Sequence, residues 1–337
     1  LLRAQCPDLP VLPLPTYAVR YSRGRDQTWK ILQQAPRVRR VIAEEHQLLK
    51  DYIPRHGLSG VISDHRYGLW SDRCPTVLLC HQLQLRSPLP GQLGAGWVYR
   101  LHRRFLRRFE ALWIPDHPGS DGLGGSLSHP PSLWGGVEYV GPLSRFADQP
   151  QPEAYQWPAL QGQRPGILAV LSGPEPQRSL LETRLRQQAH TVDQPFWLVQ
   201  GQPGAQTLRR AGNLWEISFL DGPDLMRALQ QAETVISRSG YSSLMDYAAL
   251  GLSRLILVPT PGQTEQTYLG QRMAAQGVAL TVPQRHLLLR EALGRLTACQ
   301  GFSSPLPTGA RLAPVLDAWL AKLNPPPDKM RSLKIHK

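Results

Sequence analysis

The sequence predicts an α/β protein built from two doubly wound, Rossmann-like domains, and three observations predict it. Short apolar runs alternate with stretches of helical spacing along both halves of the chain. Most of the apolar runs end on a polar residue, Pro or Gly, as strands of a parallel sheet do at a ligand-facing rim. A polar, Pro-punctuated region separates the halves, from Gln149-Pro150-Gln151-Pro152 to Gly162-Gln163-Arg164-Pro165. The expected domains are residues 1–150 and 163–323, with 324–337 as an exposed tail.

In the first half, Gly60-Val61-Ile62-Ser63 reads as a buried strand ending at Asp64. Pro75-Thr76-Val77-Leu78-Leu79-Cys80 is a second, ending at His81. Ala111-Leu112-Trp113-Ile114 runs to Pro115 and Asp116, and Val137-Glu138-Tyr139-Val140 runs to Gly141. Residues 118–136 form a Gly-rich loop between these two. In the second half, strands are expected at 166–171, 195–199, 214–219, 234–237 and 255–258. Helices are expected at 179–189, 224–232, 243–250 and 264–276. Asp221 or Pro223 starts the second of these, and Gly251 and Gly277 stop the last two.

The bulk numbers bound the class. A chain of 337 residues suits two domains, and 41% hydrophobic with 19% charged residues suits packed cores rather than disorder. No apolar run approaches the ~18 residues of a membrane span. The first residues, Leu1-Leu2-Arg3-Ala4-Gln5-Cys6-Pro7, carry neither a start Met nor an apolar signal core. The four cysteines, Cys6, Cys74, Cys80 and Cys299, form no CxxC pair, which argues against a zinc or thioredoxin site. A reduced, cytoplasmic setting is expected. The net charge of +13 comes mostly from Arg and is locally dense at Arg100-Leu101-His102-Arg103-Arg104-Phe105-Leu106-Arg107-Arg108-Phe109. That stretch has amphipathic helical spacing and admits three readings: nucleic-acid binding, peripheral contact with an anionic membrane surface, or an ordinary surface helix. Nucleic acid is not expected, because zinc-finger spacing, an RNP motif and a basic tail are all missing.

Three turns carry the chemistry. Ser172-Gly173-Pro174-Glu175-Pro176-Gln177-Arg178 joins a strand to a helix through a Gly, a geometry that exposes backbone N–H groups to an anion. Ser237-Arg238-Ser239-Gly240 repeats it, with Ser242, Ser243 and Asp246 on the following helix. A carboxylate at Asp246 can accept from both hydroxyls of a ribose. Pro259-Thr260-Pro261-Gly262-Gln263-Thr264-Glu265-Gln266 offers amides and a carboxylate suited to sugar hydroxyls. Taken alone, each turn is equally a tight turn or a helix cap. Together they fall at the carboxyl ends of strands of one sheet, where open α/β sheets bind ligands.

These residues resemble the donor-binding region of family-28 glycosyltransferases. The Ser-Arg-Ser-Gly turn followed by an acid, and the later Pro-to-Gln segment, are the specific part. A similar bacterial branch also carries Gly173-Pro174-Glu175-Pro176-Gln177-Arg178, the pattern Ser63-Asp64-x-Arg66-Tyr67-Gly68, His81-Gln82-Leu83 and Gly141-Pro142-Leu143-Ser144-Arg145-Phe146. The resemblance implies a two-Rossmann (GT-B) fold and an inverting transfer of a sugar, of N-acetylglucosamine type, from a UDP-sugar. It implies no metal and no cofactor besides the UDP-sugar donor. The acceptor is unspecified, a lipid-linked one among the options, and the setting is cytoplasmic or peripheral at the inner face of the membrane. By the same resemblance Gly173, Ser239 and Gly240 hold the diphosphate, and Glu175, Arg178 and Arg238 are among the substrate-binding residues. Asp246 takes the ribose, Phe219 and Leu220 flank the uracil, and Gln263, Glu265 and Gln266 take the sugar. Asp64 and His81 are the candidate catalytic bases. The family's Gly-rich loop, which follows the first strand of its first domain, has no counterpart, so the resemblance implies a chain that begins after it. The alternatives are a UDP-sugar hydrolase or epimerase, or a UDP-sugar-binding remnant without turnover.

Overall fold

The structure is a computed structural model that describes residues 8–17, 27–85, 92–119, 121–130, 136–147, 149–204, 206–309 and 311–323. The expected tail at 324–337 lies outside them. The chain divides into two compact units. One is built mainly from 31–142 together with residues from Gly309, the other mainly from 143–308.

The first unit holds a four-stranded parallel sheet, order β1-β2-β3-β4, from Val61–Asp64, Thr76–Leu79, Ala111–Ile114 and Val137–Tyr139. These are the four strands expected from the sequence. One face packs Leu78, Cys80, Leu112 and Ile114 against Leu106 and Phe109. Leu106 ends helix α2 (Gln92–Leu106), so the expected basic helix stops three residues before Phe109. Its described inward face is His102 and Leu106, while Arg100, Leu101 and Arg104 are exposed. Helix α1 (Gln27–His56) was not foreseen. It buries Ile42, Glu45, Leu49 and Ile53, a stripe at helical spacing with a carboxylate in its middle.

The second unit holds a seven-stranded sheet, order β11-β10-β9-β5-β6-β8-β7. Its parallel strands are β5 (Ile167–Val170), β6 (Phe196–Val199), β8 (Leu214–Ile217), β9 (Thr234–Ser237), β10 (Leu255–Leu257) and β11 (Leu280–Thr281). Phe196, Trp197, Leu198 and Val199 are all buried although they alternate faces, because both faces of a parallel sheet are covered. The covering helices are α3 (Gln177–Gln188), α4 (Gly222–Gln231), α5 (Tyr241–Ala249), α6 (Thr264–Ala275) and α7 (Leu289–Arg295). Asp221 caps α4 by accepting from Asp224 N at 3.0 Å, and Gly251 and Gly277 have the positive φ of helix stops. The antiparallel strand β7 (Leu208–Ala211) was not expected and joins β8 through the two-residue turn Gly212-Asn213.

Two boundaries differ from expectation. The second unit starts at Leu143, ahead of the Pro-rich region. The last described helix, α8 (Leu312–Leu320), groups with the first sheet. The reason is Trp319, which meets Trp113 of β3 edge to face at 5.8 Å.

Candidate active site

The sheet order of the second unit marks where a ligand crevice is expected. From β5 the chain moves to β6 and β8 on one side, and then β9, β10 and β11 fill the other. The order therefore reverses between β5 and β9. At such a switch point the loops leave in opposite directions and open a crevice at the carboxyl ends of the strands. The loop after β5 carries Gly173, and the loop after β9 carries Gly240. The loop after β10, next in the sheet, carries Pro259 to Gln263.

The three loops converge. A Cβ on Gly173, whose φ is +99°, would sit 3.8 Å from Thr260 Oγ1. A Cβ on Gly240 would sit 3.9 Å from Gln266 Nε2. Gln266 Oε1 accepts from Thr260 N at 2.8 Å, and Ser239 Oγ donates to the Gln266 carbonyl at 2.7 Å. These two bonds clamp the β9 and β10 loops together. They also turn the Gln266 amide so that its NH2 faces Gly240. Gly240 is the N-cap of α5, whose first N–H groups have no acceptor within the helix. Helix geometry, the macrodipole and an amide donor all favour an anion there.

Thr260 was passed over in the sequence. Its side chain is fully buried, and its Oγ1 has no hydrogen-bond partner among the described residues. Burying an unpaired hydroxyl costs about 1–3 kcal/mol, so such a group invites a ligand oxygen. Nothing in the sequence marks it, since Thr after a strand is ordinary.

Other expected contacts are occupied by the protein itself. Arg238 is 1% exposed and points inward, donating to the carbonyls of Gln177 at 2.7 Å and Val258 at 3.1 Å. Burial lowers its pKa to about 10, so it remains a cation at neutral pH. It braces the loop rather than facing the crevice. Arg178 pairs with Glu175 and Glu182 and donates to the Gln200 carbonyl at 3.0 Å. Glu175 also accepts from Ser179 N and Oγ; against desolvation, these bonds and Arg178 hold its carboxyl below its usual range. Phe219 and Leu220 sit in the β8–α4 connection, with Leu220 buried. Gln263 is the N-cap of α6, and Glu265 is in its first turn.

Asp246 is 4% exposed, and its carboxylate is engaged. Ser144 Oγ donates to Oδ1 at 2.8 Å, and Arg145 Nε donates to Oδ2 at 2.9 Å. Both partners belong to the Gly141–Phe146 string, whose role the sequence did not reveal.

In the first unit, Asp64 ends β1 and His81 follows β2, the neighbouring strand. Desolvation pushes the Asp64 carboxyl up, opposed by His81. Between them lies His65, whose Nε2 is 2.9 Å from His81 Nδ1. Its backbone takes a positive φ of 53°, uncommon for a residue with a Cβ. Burial, and then His81 and His102, lower the His65 pKa to about 3. Burial lowers that of His102 to about 4. Asp116, after β3, is consumed by its own loop, accepting from the backbone N–H groups of His117, Leu123 and Gly124 at 2.9 Å.

The depressed histidines predict acid lability. Between their folded pKa and the ordinary value near 6.5 the unfolded chain binds more protons. Stability then falls as pH falls through that window, by up to about 1.4 kcal/mol per pH unit for the buried His102. Urea midpoints at pH 7 and pH 5 should show it, and equal midpoints would contradict it.

Comparison with known proteins fits this geometry. The stretch from 213 to 299, which supplies the β9 and β10 loops, matches a family description. The family whose model these residues, 213–299, are similar to is the glycosyltransferase family 28 C-terminal domain. A calicheamicin glycosyltransferase, CalG4, superposes with TM-score 0.55 at 15% identity over 90% of this chain and 83% of its own. MurG of Acinetobacter baumannii gives 0.50 at 13% identity over 95% and 86%. A UDP-GlcNAc 2-epimerase of Neisseria meningitidis, solved with UDP-GlcNAc bound, gives 0.54 at 12% identity over 84% and 82%. The fold is thus the GT-B fold shared by the family-28 domain's relatives and by epimerases. No curated protein sequence matches the chain. No described helix is long and apolar enough to cross a membrane.

Proposed function

We propose that the chain is an inverting, metal-independent glycosyltransferase that moves a sugar from a UDP-sugar to an acceptor hydroxyl. The observation that carries this is the convergence of the Gly173, Gly240 and Thr260–Gln266 loops at the switch point of the seven-stranded sheet. In this reading the start of α5, Gln266 Nε2 and Thr260 Oγ1 hold the diphosphate and its sugar. They stabilise the charge that grows on the departing UDP, the role a metal plays elsewhere. Phe219 and Leu220 flank the base. Asp246 takes the ribose hydroxyls by exchanging them for Ser144 and Arg145. The four-stranded unit supplies the acceptor side, where Asp64 and His81 are the candidate bases. The exposed Arg100, Leu101 and Arg104 of α2 suit a lipid-linked acceptor at an anionic membrane surface.

The test is calorimetric titration with UDP and UDP-N-acetylglucosamine, followed by product analysis. Free sugar or an epimer in place of a transferred sugar would favour the hydrolase or epimerase reading. Absence of UDP binding would end the proposal. Asp246→Ala should weaken UDP binding by about 1–3 kcal/mol, because a buried carboxylate loses its ribose bonds. Unchanged affinity would remove Asp246 from the site. Thr260→Val keeps the shape and deletes the orphaned hydroxyl. Its melting temperature should hold or rise while UDP affinity falls by about 1–3 kcal/mol. A fall in stability would mean that the hydroxyl has a structural partner instead.

A further inference from the structure

Asp246 is buried in α5, the helix whose N-cap is Gly240. Among the described residues, every hydrogen bond its carboxylate accepts comes from Ser144 or Arg145. Ser144 Oγ serves Oδ1 at 2.8 Å and Arg145 Nε serves Oδ2 at 2.9 Å. The Arg145 backbone N–H adds a longer bond to Oδ1 at 3.3 Å. Each carboxylate oxygen thus holds one side-chain donor, as it would hold one O–H of a vicinal diol. All these residues belong to the second unit, which begins at Leu143. The donors sit on a short span: Leu143 and Ser144 are half-buried and Arg145 is exposed, between the buried Pro142 and Phe146. Its other bonds are weak or internal. Leu143 N–H donates to Met245 Sδ at 3.2 Å, Phe146 N–H donates to Ser144 Oγ at 3.1 Å, and the Arg145 guanidinium lies over the Phe146 ring.

We propose that Ser144 and Arg145 form a latch on the ribose subsite: they occupy the Asp246 carboxylate in the empty protein, and a nucleoside diphosphate binds by displacing them. The latch rests on the glycosyltransferase reading above and adds the regulation of its donor site. In the closed form Asp246 is held by donors of its own chain. In the open form it is offered to the ribose. A ligand that binds only the open form has its apparent affinity reduced by the open fraction. Whatever weakens the latch therefore tightens nucleotide binding, although it removes native contacts. In the other direction, a bound nucleotide frees Ser144 and Arg145, so the segment that leads into the second unit changes state with donor occupancy.

Three features support the assignment. A buried carboxylate left without donors is strongly destabilising, so the empty subsite needs a stand-in for the ribose, and the latch is one. The exchange is reversible, because the Arg145 side chain is 59% exposed and its charge returns to water when it lets go. An ion pair with so exposed a partner is weak enough for a ligand to replace. Arg238 shows the contrast. It is fully buried on the carbonyls of Gln177 and Val258 and has no path to solvent, as suits a permanent brace.

Two measurements test it. Arg145→Met keeps an apolar stem beside Phe146 and deletes the side-chain donor. It should bind UDP about 5-fold more tightly in calorimetry while its melting temperature falls. Ser144→Ala should act in the same sense, and the double variant should gain about 10-fold or more. A purely structural ion pair would lower the melting temperature and leave the affinity alone, and that result overturns the latch. Weaker binding by Arg145→Met overturns it too, because Arg145 would then be a contact of the ligand. The second measurement is hydrogen exchange of the wild-type chain with and without saturating UDP. The amides of Arg145 and Phe146 donate to Asp246 and to Ser144 Oγ, and both should exchange faster with UDP bound. A structural role would leave them unchanged or slower, which overturns the latch and leaves the glycosyltransferase reading standing. A wild-type chain that binds no UDP sinks that parent reading, and the latch with it.

Discussion

Gly240→Leu is expected to weaken UDP binding about 100-fold or more while the melting temperature stays within about 4 °C of wild type. Gly240 has φ −74° and ψ 144°, ordinary extended backbone that any residue adopts. An added Cβ would meet only Gln266 Nε2, at 3.9 Å. The backbone thus pays little for the side chain, with only the N-cap preference at stake, about 1 kcal/mol. The crevice pays much more. Leu would fill the space in front of the α5 N-terminus, where the proposed site requires the diphosphate to approach backbone N–H groups closely. A loss of about 100-fold or more, roughly 2.7 kcal/mol, is expected by calorimetry. Gly301→Ala is the contrasting control. Its Cβ would fall 2.1 Å from the Ser253 Cα, and Gly301 has a φ of +72°, so that variant should lose stability. If Gly240→Leu binds UDP as wild type does, the diphosphate is not at this helix, and the switch-point site falls with it.

The positions of the three loops were legible, and the directions of their side chains were not. Parallel strands covered on both faces write themselves as continuous apolar runs, such as Ile167-Leu168-Ala169-Val170 or Leu255-Ile256-Leu257. Gly then marks where each run turns. That is enough to place Gly173 and Gly240. It does not tell that Arg238 folds back onto Gln177 and Val258, or that Ser239 spends its hydrogen on the Gln266 carbonyl. Those bonds depend on which loops the sheet order makes neighbours, and the order is not written locally. Strand β7 was missed because Leu208-Arg209-Arg210-Ala211 is a largely exposed edge with no alternation. Helix α1 was missed because Pro36 and Pro54 read as breakers and Glu45 interrupts the apolar stripe. The placement of α8 turns on one contact, Trp319 with Trp113, between residues 206 positions apart (319 minus 113).

Glu45 is where the second large effect is expected. Its side chain is fully buried in α1, yet every partner it has is polar. It accepts from Arg66 Nε at 2.6 Å, from Tyr17 OH at 2.8 Å and from Gly68 N at 3.1 Å. Glu45→Ala would strand the Arg66 cation, the Tyr17 hydroxyl and a buried backbone N–H at once. Breaking a buried pair in this way costs about 3–5 kcal/mol. Arg66 keeps 27% of its side chain exposed and can recover some hydration, which argues for the lower end of that range. Glu45→Gln should cost less, since the amide oxygen can still serve Gly68 N and only the charge is lost. Chemical denaturation of the three proteins should give that order, and a Glu45→Ala variant within about 1 kcal/mol of wild type would refute it. The effect should also reach the turn that carries the candidate base Asp64. Glu45 grips Arg66 and Gly68, and Ser63 Oγ donates to the Arg66 carbonyl at 2.7 Å, so the turn that carries Asp64 and His65 is held from both sides. With one side released, the left-handed conformation at His65 loses the packing that enforces it. In the proposed glycosyltransferase reading, in which Asp64 is a candidate base, turnover should then fall further than the fraction of unfolded protein explains.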